Sequence, residues 1–454
     1  MIDIDRLSPV PVFRQIYERI RAAIAVGQLR PGERLPSARS LAAQLGAARG
    51  TVEAAFGMLA GEGWIVPRGA AGTIVAPRLG PAPLAAPRPR IELPAPDPTP
   101  RPFRMGLPAL DAFPRGLWAR LVAREARALS FSYPDPAGDH GLREAIAAYL
   151  AVSRGIVCLP GQIVVTAGYQ GALSLIARAL IEPGTPVWIE DPGYHLTRLG
   201  LAAAGARLVP VPVDAEGMRV EAAPEPARFA FVTPSHQAPL GVPLSLPRRL
   251  ALLSWAEAND AAVVEDDYDG EFHYAGRPLP ALKSLDRGDV VLYAGSFSKV
   301  LFPGLRLGYL VVPARLVGRF AEAAMRFTAG CGALEQRVVA RFMSEGHFAR
   351  HLKRMRGLYA ARRAALAMAL AHVFGGGLRI ELQSGGMHLL ARTEAPDTEL
   401  VALAEQHRLA PAALSAHAVA ADCGSGLLLS FTNIPETQAP AMARALHQVI
   451  GHRL

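Results

Sequence analysis

Lysine is nearly absent from this chain of 454 residues: among 48 basic side chains only Lys283, Lys299 and Lys353 are lysines, and the rest are arginines. Chemistry that needs a side-chain amine therefore has three candidates. Cysteine is also scarce, and Cys158, Cys331 and Cys423 lie far apart without a CxxC pair. That excludes a disulfide framework and a zinc ribbon and leaves the three as buried apolar fillers. No apolar run approaches the roughly 20 residues that cross a bilayer, and the opening MIDIDRLSPV carries neither a cationic nor an apolar export segment. The expectation is a soluble, unexported, cytoplasmic protein with no membrane partner.

Hydrophobic residues make up 51% of the chain and charged ones 19%, the composition of a folded protein. The length predicts two or three domains. A formal charge of +9 suits a polyanionic partner, because a basic surface is drawn to nucleic acid at long range, although charge alone does not single one out. From Pro77 to Arg104 the chain turns proline-rich, which removes backbone donors and favours extended structure over packing. The division expected is a head over 1–77, a linker over 78–104 and a body over 105–454, with a smaller lobe starting near 320.

In the head, Phe13, Ile16, Ile20 and Ile24 recur at helical spacing and Gly27 ends that helix. Ser37 is placed to cap a second helix that Gly46 breaks, and a third carries Val52, Phe56 and Leu59 on one face. Two β-prone runs follow, WIVPR and TIVA, joined by GAAG. This is the order of a winged helix-turn-helix. Arg39 opens the second helix, Arg49 and Thr51 open the third, and Arg68 leads into the wing, where they are placed to meet phosphates or base edges. Nine arginines face six acids between Met1 and Pro77. If these arginines merely solvate the surface, DNA affinity should not fall steeply with salt.

The body alternates helical patterns with short buried-strand patterns, QIVVTAG, PVWIED, RFAFVTPS, AAVVEDDY, DVVLYAGS and RLGYLVV, which imply an α/β architecture with a large, mostly parallel sheet covered on both faces. Beyond about residue 320 helices and the strands LRIELQ, GMHLLART and GLLLSF suggest a smaller α+β C-terminal lobe. Lys299 follows a strand in YAGSFSKVLFPGLRLGY, flanked by Ser296, Ser298 and Arg306, and hydroxyls with a guanidinium around an amine suit a phosphate. Asp266 and Tyr268, two apart at the end of AAVVEDDY, share a face. In VVTAGYQGALSLIARAL the free N–H groups of Tyr169 and Gln170 open a helix and can cap an anion, and Tyr194 follows a Pro-Gly turn where it could stack on a ring. An amine, an acid, a phenol, a stacking ring and a phosphate cradle are what pyridoxal 5'-phosphate (PLP) requires.

The head, through PGERLPSARSLAAQLGAARGTV, strongly resembles the GntR-type winged helix, with Gly50, Ala70 and Ala71 departing from its usual pattern. The body segments resemble fold-type I aminotransferases, and the whole chain resembles the MocR (GabR-like) family of fused regulators. The resemblance implies that Lys299 carries the PLP Schiff base, Asp266 binds the pyridine nitrogen, Tyr268 the phenolic oxygen, Tyr194 stacks, and Ser296, Ser298 and Arg306 hold phosphate, with Tyr133 reaching the phosphate of a partner subunit. It further implies a homodimer on a DNA operator, switched by PLP or by an amine or amino acid effector through aldimine exchange at Lys299. Two departures matter. The Asn expected before Pro-Thr-Gly is missing from Ser235-His236-Gln237-Ala238-Pro239-Leu240-Gly241, so Gln237 or His236 substitutes or the contact is lost. No arginine near the C-terminus is placed to clamp a carboxylate, and His417 would be a weaker, pH-dependent anchor. An efficient amino-acid transaminase is therefore disfavoured, while a working aminotransferase with an appended head and a body that has lost PLP remain the alternatives.

Overall fold

The computed structural model describes residues 4–77, 100–276, 279–327 and 331–454, so most of the expected linker lies outside the described residues. The chain divides into two compact units, Met1–Pro96 and Asp97–Leu454.

The first unit holds helices α1 (Val12–Ala25), α2 (Ala38–Leu45) and α3 (Arg49–Gly61) and a three-stranded sheet of β1 (Arg34–Leu35), β2 (Ile65–Pro67) and β3 (Thr73–Val75), in the order β1-β3-β2. Ile16, Ile20, Val52, Leu59 and Val75 are buried together, so the helical periodicity and the hairpin close on one core. Ser37 caps α2 by accepting the Ser40 N–H at 3.1 Å, and Gly46 ends it with a φ of 59° that a side chain would strain. Strand β1 lies inside the RPGERLP run between α1 and α2 and leaves no strand pattern in the sequence, because two residues are too short to show a period of two.

In the second unit the strands are β4 (Ile163–Thr166), β5 (Pro186–Asp191), β6 (Arg207–Asp214), β7 (Gly217–Met218), β8 (Phe229–Val232), β9 (Ala262–Asp267), β10 (Val291–Ser296) and β11 (Gly308–Val311). They form one sheet ordered β4-β11-β10-β9-β8-β5-β6-β7. Pairing is parallel from β10 through β6, while β11 runs antiparallel to both its neighbours. Alternate residues feed two cores. Val187, Ile189, Val264 and Leu292 pack under the helices Gly168–Leu180 and Val317–Phe327, and Trp188, Val263 and Val291 pack under Leu246–Ala258. Burial on both faces is why these strands read as unbroken apolar runs. Strand β6 carries no such signature because Pro210 and Pro212 interrupt it. Residues two apart turn their amide positions to the same edge, so both missing donors fall on one side of a strand that has only the short β7 beyond it.

The smaller lobe is an antiparallel sheet, β12 (Arg379–Glu381), β13 (His388–Arg392), β14 (Ala412–Ala413) and β15 (Gly426–Ser430), in the order β12-β13-β15-β14, backed by the helices His347–Phe374 and Ala439–Ile450. The segment from Arg101 joins it. Ser430 donates its N–H to the Phe103 carbonyl at 3.1 Å, Ala410 does so to Pro102 at 2.9 Å, and Phe103 is fully buried. Among the described residues no helix is long and apolar enough to cross a membrane.

Candidate cofactor site and nucleic-acid interface

Parallel strands deliver their carboxyl ends to one edge, and ligands of open α/β sheets bind there. At that edge Asp266 is the last residue but one of β9, Ser296 ends β10, Gly168 follows β4 and Tyr194 follows β5. They surround a cavity of about 330 Å³ lined by Tyr169, Gln170, Tyr194, Asp266, Tyr268, Ser296, Ser298, Lys299 and Arg306, nine residues singled out in the sequence. The opposite wall comes from Met105, Gly106, Met387, His388, Ala412 and His417.

Lys299 sits on the helical turn Phe297–Val300, which Ser296 caps by accepting the Ser298 N–H at 3.2 Å. Its Nζ donates to the Gly106 carbonyl at 3.0 Å. A Cβ on Gly106 would land on that nitrogen, and φ at Gly106 is +76°, so glycine is needed there twice over. Burial lowers the Lys299 pKa, with the Asp269 and Asp266 carboxylates opposing. The amine is thereby brought nearer the neutral form a nucleophile requires.

Asp266 is only 6% exposed, and its carboxylate has no hydrogen-bond partner among the described residues. Burial raises its pKa well above the carboxylate range, the Asp267 charge adds to this, and Lys299 relieves it. A buried acid left without a donor, in a cavity that also holds a lysine, hydroxyls and a guanidinium, fits the pyridinium N–H of PLP. In that arrangement Asp266 would hold the ring nitrogen, while Ser296, Ser298, Arg306 and the N–H groups that open the helix at Gly168 would hold phosphate.

Tyr268 shares a 2.9 Å hydrogen bond with His236 Nδ1, which also lies 3.2 Å from Asp269. Tyr169 is fixed by a 2.8 Å bond to Thr197 Oγ1, with its ring 6.3 Å from that of Tyr194. Burial pushes the Tyr194 phenol up to about 12. Behind these rings Glu190 accepts the Thr233 hydroxyl at 2.6 Å, and burial raises it to about 7.

Gln237 is turned away from the cavity. Its Nε2 donates to the carbonyls of Pro192 (2.8 Å) and Ala238 (2.9 Å), its Oε1 accepts the Leu240 N–H at 3.0 Å, and Ala238 and Pro239 line the cavity instead. Tyr133 is 100% exposed and reaches none of these residues within one chain. Sequence reasoning missed Gly106 and His388. Gly106 is 193 residues from Lys299 along the chain, and His388 lies inside an ordinary strand pattern, so neither leaves a local trace.

In the head, Arg39, Arg49 and Arg68 are exposed and Thr51 is half-buried at the first turn of α3. Arg49 pairs with Glu53 at 2.8 Å, whereas Arg39 and Arg68 have no ion-pair partner among the described residues. Arg39, Arg49 and Thr51 stand in the first turns of α2 and α3, the part of a helix-turn-helix that faces a groove.

Residues 13–75 match the family "Bacterial regulatory proteins, gntR family", and residues 110–433 match "Aminotransferase class I and II". The chain is similar to the probable rhizopine catabolism regulatory protein MocR of Rhizobium meliloti, at 40% identity over 89% of this chain and 87% of that one. It is 34% identical to the pyridoxine biosynthesis transcriptional regulator PdxR of Corynebacterium glutamicum, over 93% and 92% of the two chains. Its fold is also similar to that of LysN, an alpha-aminoadipate aminotransferase from Thermus thermophilus solved with N-(5'-phosphopyridoxyl)-L-leucine. There the TM-score is 0.71 at 28% identity, over 77% of this chain and 92% of that one.

Proposed function

Because this chain belongs to the MocR-type transcription regulators, a GntR-type winged helix fused to an aminotransferase class I and II domain, we propose that it reads a DNA operator and is switched by PLP chemistry at Lys299. The observation that carries this reading is the convergence of the Lys299 amine, the partnerless buried Asp266 and the anion-holding group of Ser296, Ser298 and Arg306 on one cavity. When bound, PLP supplies an electrophilic carbon that joins one amine and can trade it for another.

Lys299 would hold the cofactor through its amine, the group that an incoming amine would replace. Asp266 would keep the ring nitrogen protonated, Tyr268 would donate to the phenolic oxygen, and Tyr194 would stack on the ring. Gln170 and Tyr169 offer N–H groups to the phosphate. The signal is either PLP itself or an amino compound that takes the place of Lys299. Such a ligand moves the heads only if it binds two conformations of the body unequally. A homodimer suits paired operator half-sites. It would also cover Phe131 and Tyr133, which are 95% and 100% exposed, and bring Tyr133 to a partner's phosphate.

The test is a DNA-binding titration of the full chain with and without PLP, then with a panel of amines and amino acids, reading the cofactor's absorbance in the same samples. A PLP-dependent or amine-dependent change in DNA affinity supports the reading. Repeated turnover of an amino donor and a keto acceptor would instead identify a working aminotransferase. Absence of any Lys299-dependent absorbance would mean the body has lost the cofactor.

A further inference from the structure

Resting on that reading, we propose that the cavity accepts a primary amine whose remaining groups are uncharged and hydroxyl-bearing, and that it rejects α-amino carboxylates.

The first ground is charge. Among the described residues the only cations lining the cavity are Lys299 and Arg306. In the proposed arrangement Arg306 is committed to phosphate, and Lys299, once an incoming amine has replaced it, has the Gly106 carbonyl as its partner at 3.0 Å while burial favours its uncharged form. Arg198, whose charge is felt by His417, lines the narrow recess behind Tyr194 and donates to the Ala418 carbonyl at 3.2 Å. A carboxylate in the cavity would lose its hydration without gaining the bidentate guanidinium that normally replaces it.

The second ground is the wall facing Lys299. Met105, Met387 and Ala412 line it, and Met105 and Ala412 are backed by an aliphatic cluster of Leu390, Leu414 and Leu428. Apart from the Gly106 carbonyl, which Lys299 occupies, its polar groups are two imidazoles, and their partners fix their tautomers. His388 Nε2 lies 2.9 Å from the Pro239 carbonyl, and His417 Nδ1 lies 3.3 Å from the Gly193 carbonyl. A carbonyl only accepts, so each of these nitrogens carries the ring proton. Burial lowers His388 to about 3 and His417 to about 4, so at neutral pH each ring has that proton alone. The remaining nitrogens, His388 Nδ1 and His417 Nε2, are therefore acceptors. Neither has a donor among the described residues, and neither is a polar atom sealed off without a partner. Two lone pairs on an aliphatic wall repel an acceptor-only carboxylate and receive the hydroxyls of an amino alcohol or amino polyol.

The experiment uses the full-length chain loaded with PLP and two amines matched in size: serinol, and L-serine, which has a carboxylate in place of one hydroxymethyl. Half-saturation is read from the shift in cofactor absorbance, each value being normalised to the same amine with free PLP. Serinol should half-saturate at a concentration at least about tenfold lower than L-serine, the effect of roughly one or two hydrogen bonds gained or left unmade. Equal or tighter binding of L-serine overturns the proposal. His417→Arg installs the missing cation and should shift the preference towards L-serine by about tenfold or more. An unchanged ratio in a variant that still shows the cofactor band counts against the proposal. Should that variant fail to fold, the ratio in the unaltered chain decides alone. A cofactor band that responds to neither amine overturns this inference and leaves the cofactor reading standing. Absence of the band in the unaltered chain overturns both.

Discussion

The head and the body divide the ionisable side chains between them. Residues 1–77 contain no lysine, histidine or cysteine, so their charge comes from nine arginines and six acids and stays fixed across neutral pH. All twelve histidines, all three lysines and all three cysteines lie in the body. The head also leaves Arg39 and Arg68 exposed and, among the described residues, without an ion-pair partner, while the body buries Asp266 and Asp269 near Lys299 and shifts the protonation of both by desolvation. The head is thus chemically inert in its side chains, and every side chain able to form a Schiff base or to change protonation near neutral pH by its ordinary pKa belongs to the body. If that division holds, each unit can be disabled without silencing the other.

The largest effect should come from Lys299→Ala. Its cofactor absorbance and any response of DNA binding to added amine should be lost altogether, while operator binding without effector persists. Retention of a Lys299-type band in the variant would break the comparison at its root. Asp266→Ala comes next. A hydrogen bond between ionised groups contributes about 1.5 to 3 kcal/mol, so PLP affinity should fall roughly 10- to 100-fold with the fold intact. Equilibrium titration of the apo chain with PLP measures this.

His417 sharpens the contrast through pH. Burial lowers its pKa to about 4, so the folded body resists protonating it while the unfolded chain accepts a proton near the ordinary value. Its contribution to stability is therefore complete above the unfolded pKa and is lost as pH falls towards the folded one. Between pH 7 and 4 the unaltered chain should lose about 3 kcal/mol relative to His417→Gln. Taking the difference between the two proteins cancels the opposing trend from Glu190, Glu265 and Glu271, each raised by burial to about 7. Denaturant unfolding of both proteins at several pH values is the measurement, and parallel curves would show His417 to be solvated. Arg39→Ala and Arg68→Ala should act on the other unit alone. Each should weaken operator binding by about 1 kcal/mol and reduce the salt slope by about one, with the cofactor spectrum untouched.

The chemistry of the site was more legible in the sequence than its enclosure. Lys299, Asp266 and Ser296 are announced by strand ends, because a parallel sheet gathers carboxyl ends at one edge whatever lies between them. The order of the winged helix was readable from Ile16, Ile20, Val52 and the cap at Ser37 for a similar reason: caps and periodicity are local. The far wall was not. Met105, Gly106, Met387 and His388 reach the cavity by long-range packing of the smaller lobe, and the Gly106 carbonyl meets Lys299 across 193 residues. Gln237 illustrates the converse. Its position beside Pro239 suggested a cofactor contact, but both ends of its amide are taken up by the loop it stabilises. Local sequence showed the residue and could not show which way the loop turned it.

The smallest effect concerns Arg49, which, unlike Arg39 and Arg68, has an ion-pair partner among the described residues. Its Nε lies 2.8 Å from Glu53 one turn along α3, with both side chains at least half exposed. Such a pair contributes about 0.3 to 0.5 kcal/mol to a helix and is screened by salt. If Arg49 contacts DNA as proposed, the same carboxylate should work against binding, because it engages the guanidinium and adds a negative charge of its own. Glu53→Ala should therefore move two quantities in opposite directions: unfolding stability falls by about 0.5 kcal/mol, and operator binding tightens by roughly twofold at low salt, the gain fading as salt rises. If binding weakens instead, Glu53 orients Arg49 for its contact, and the head is more finely built than its exposed arginines suggest.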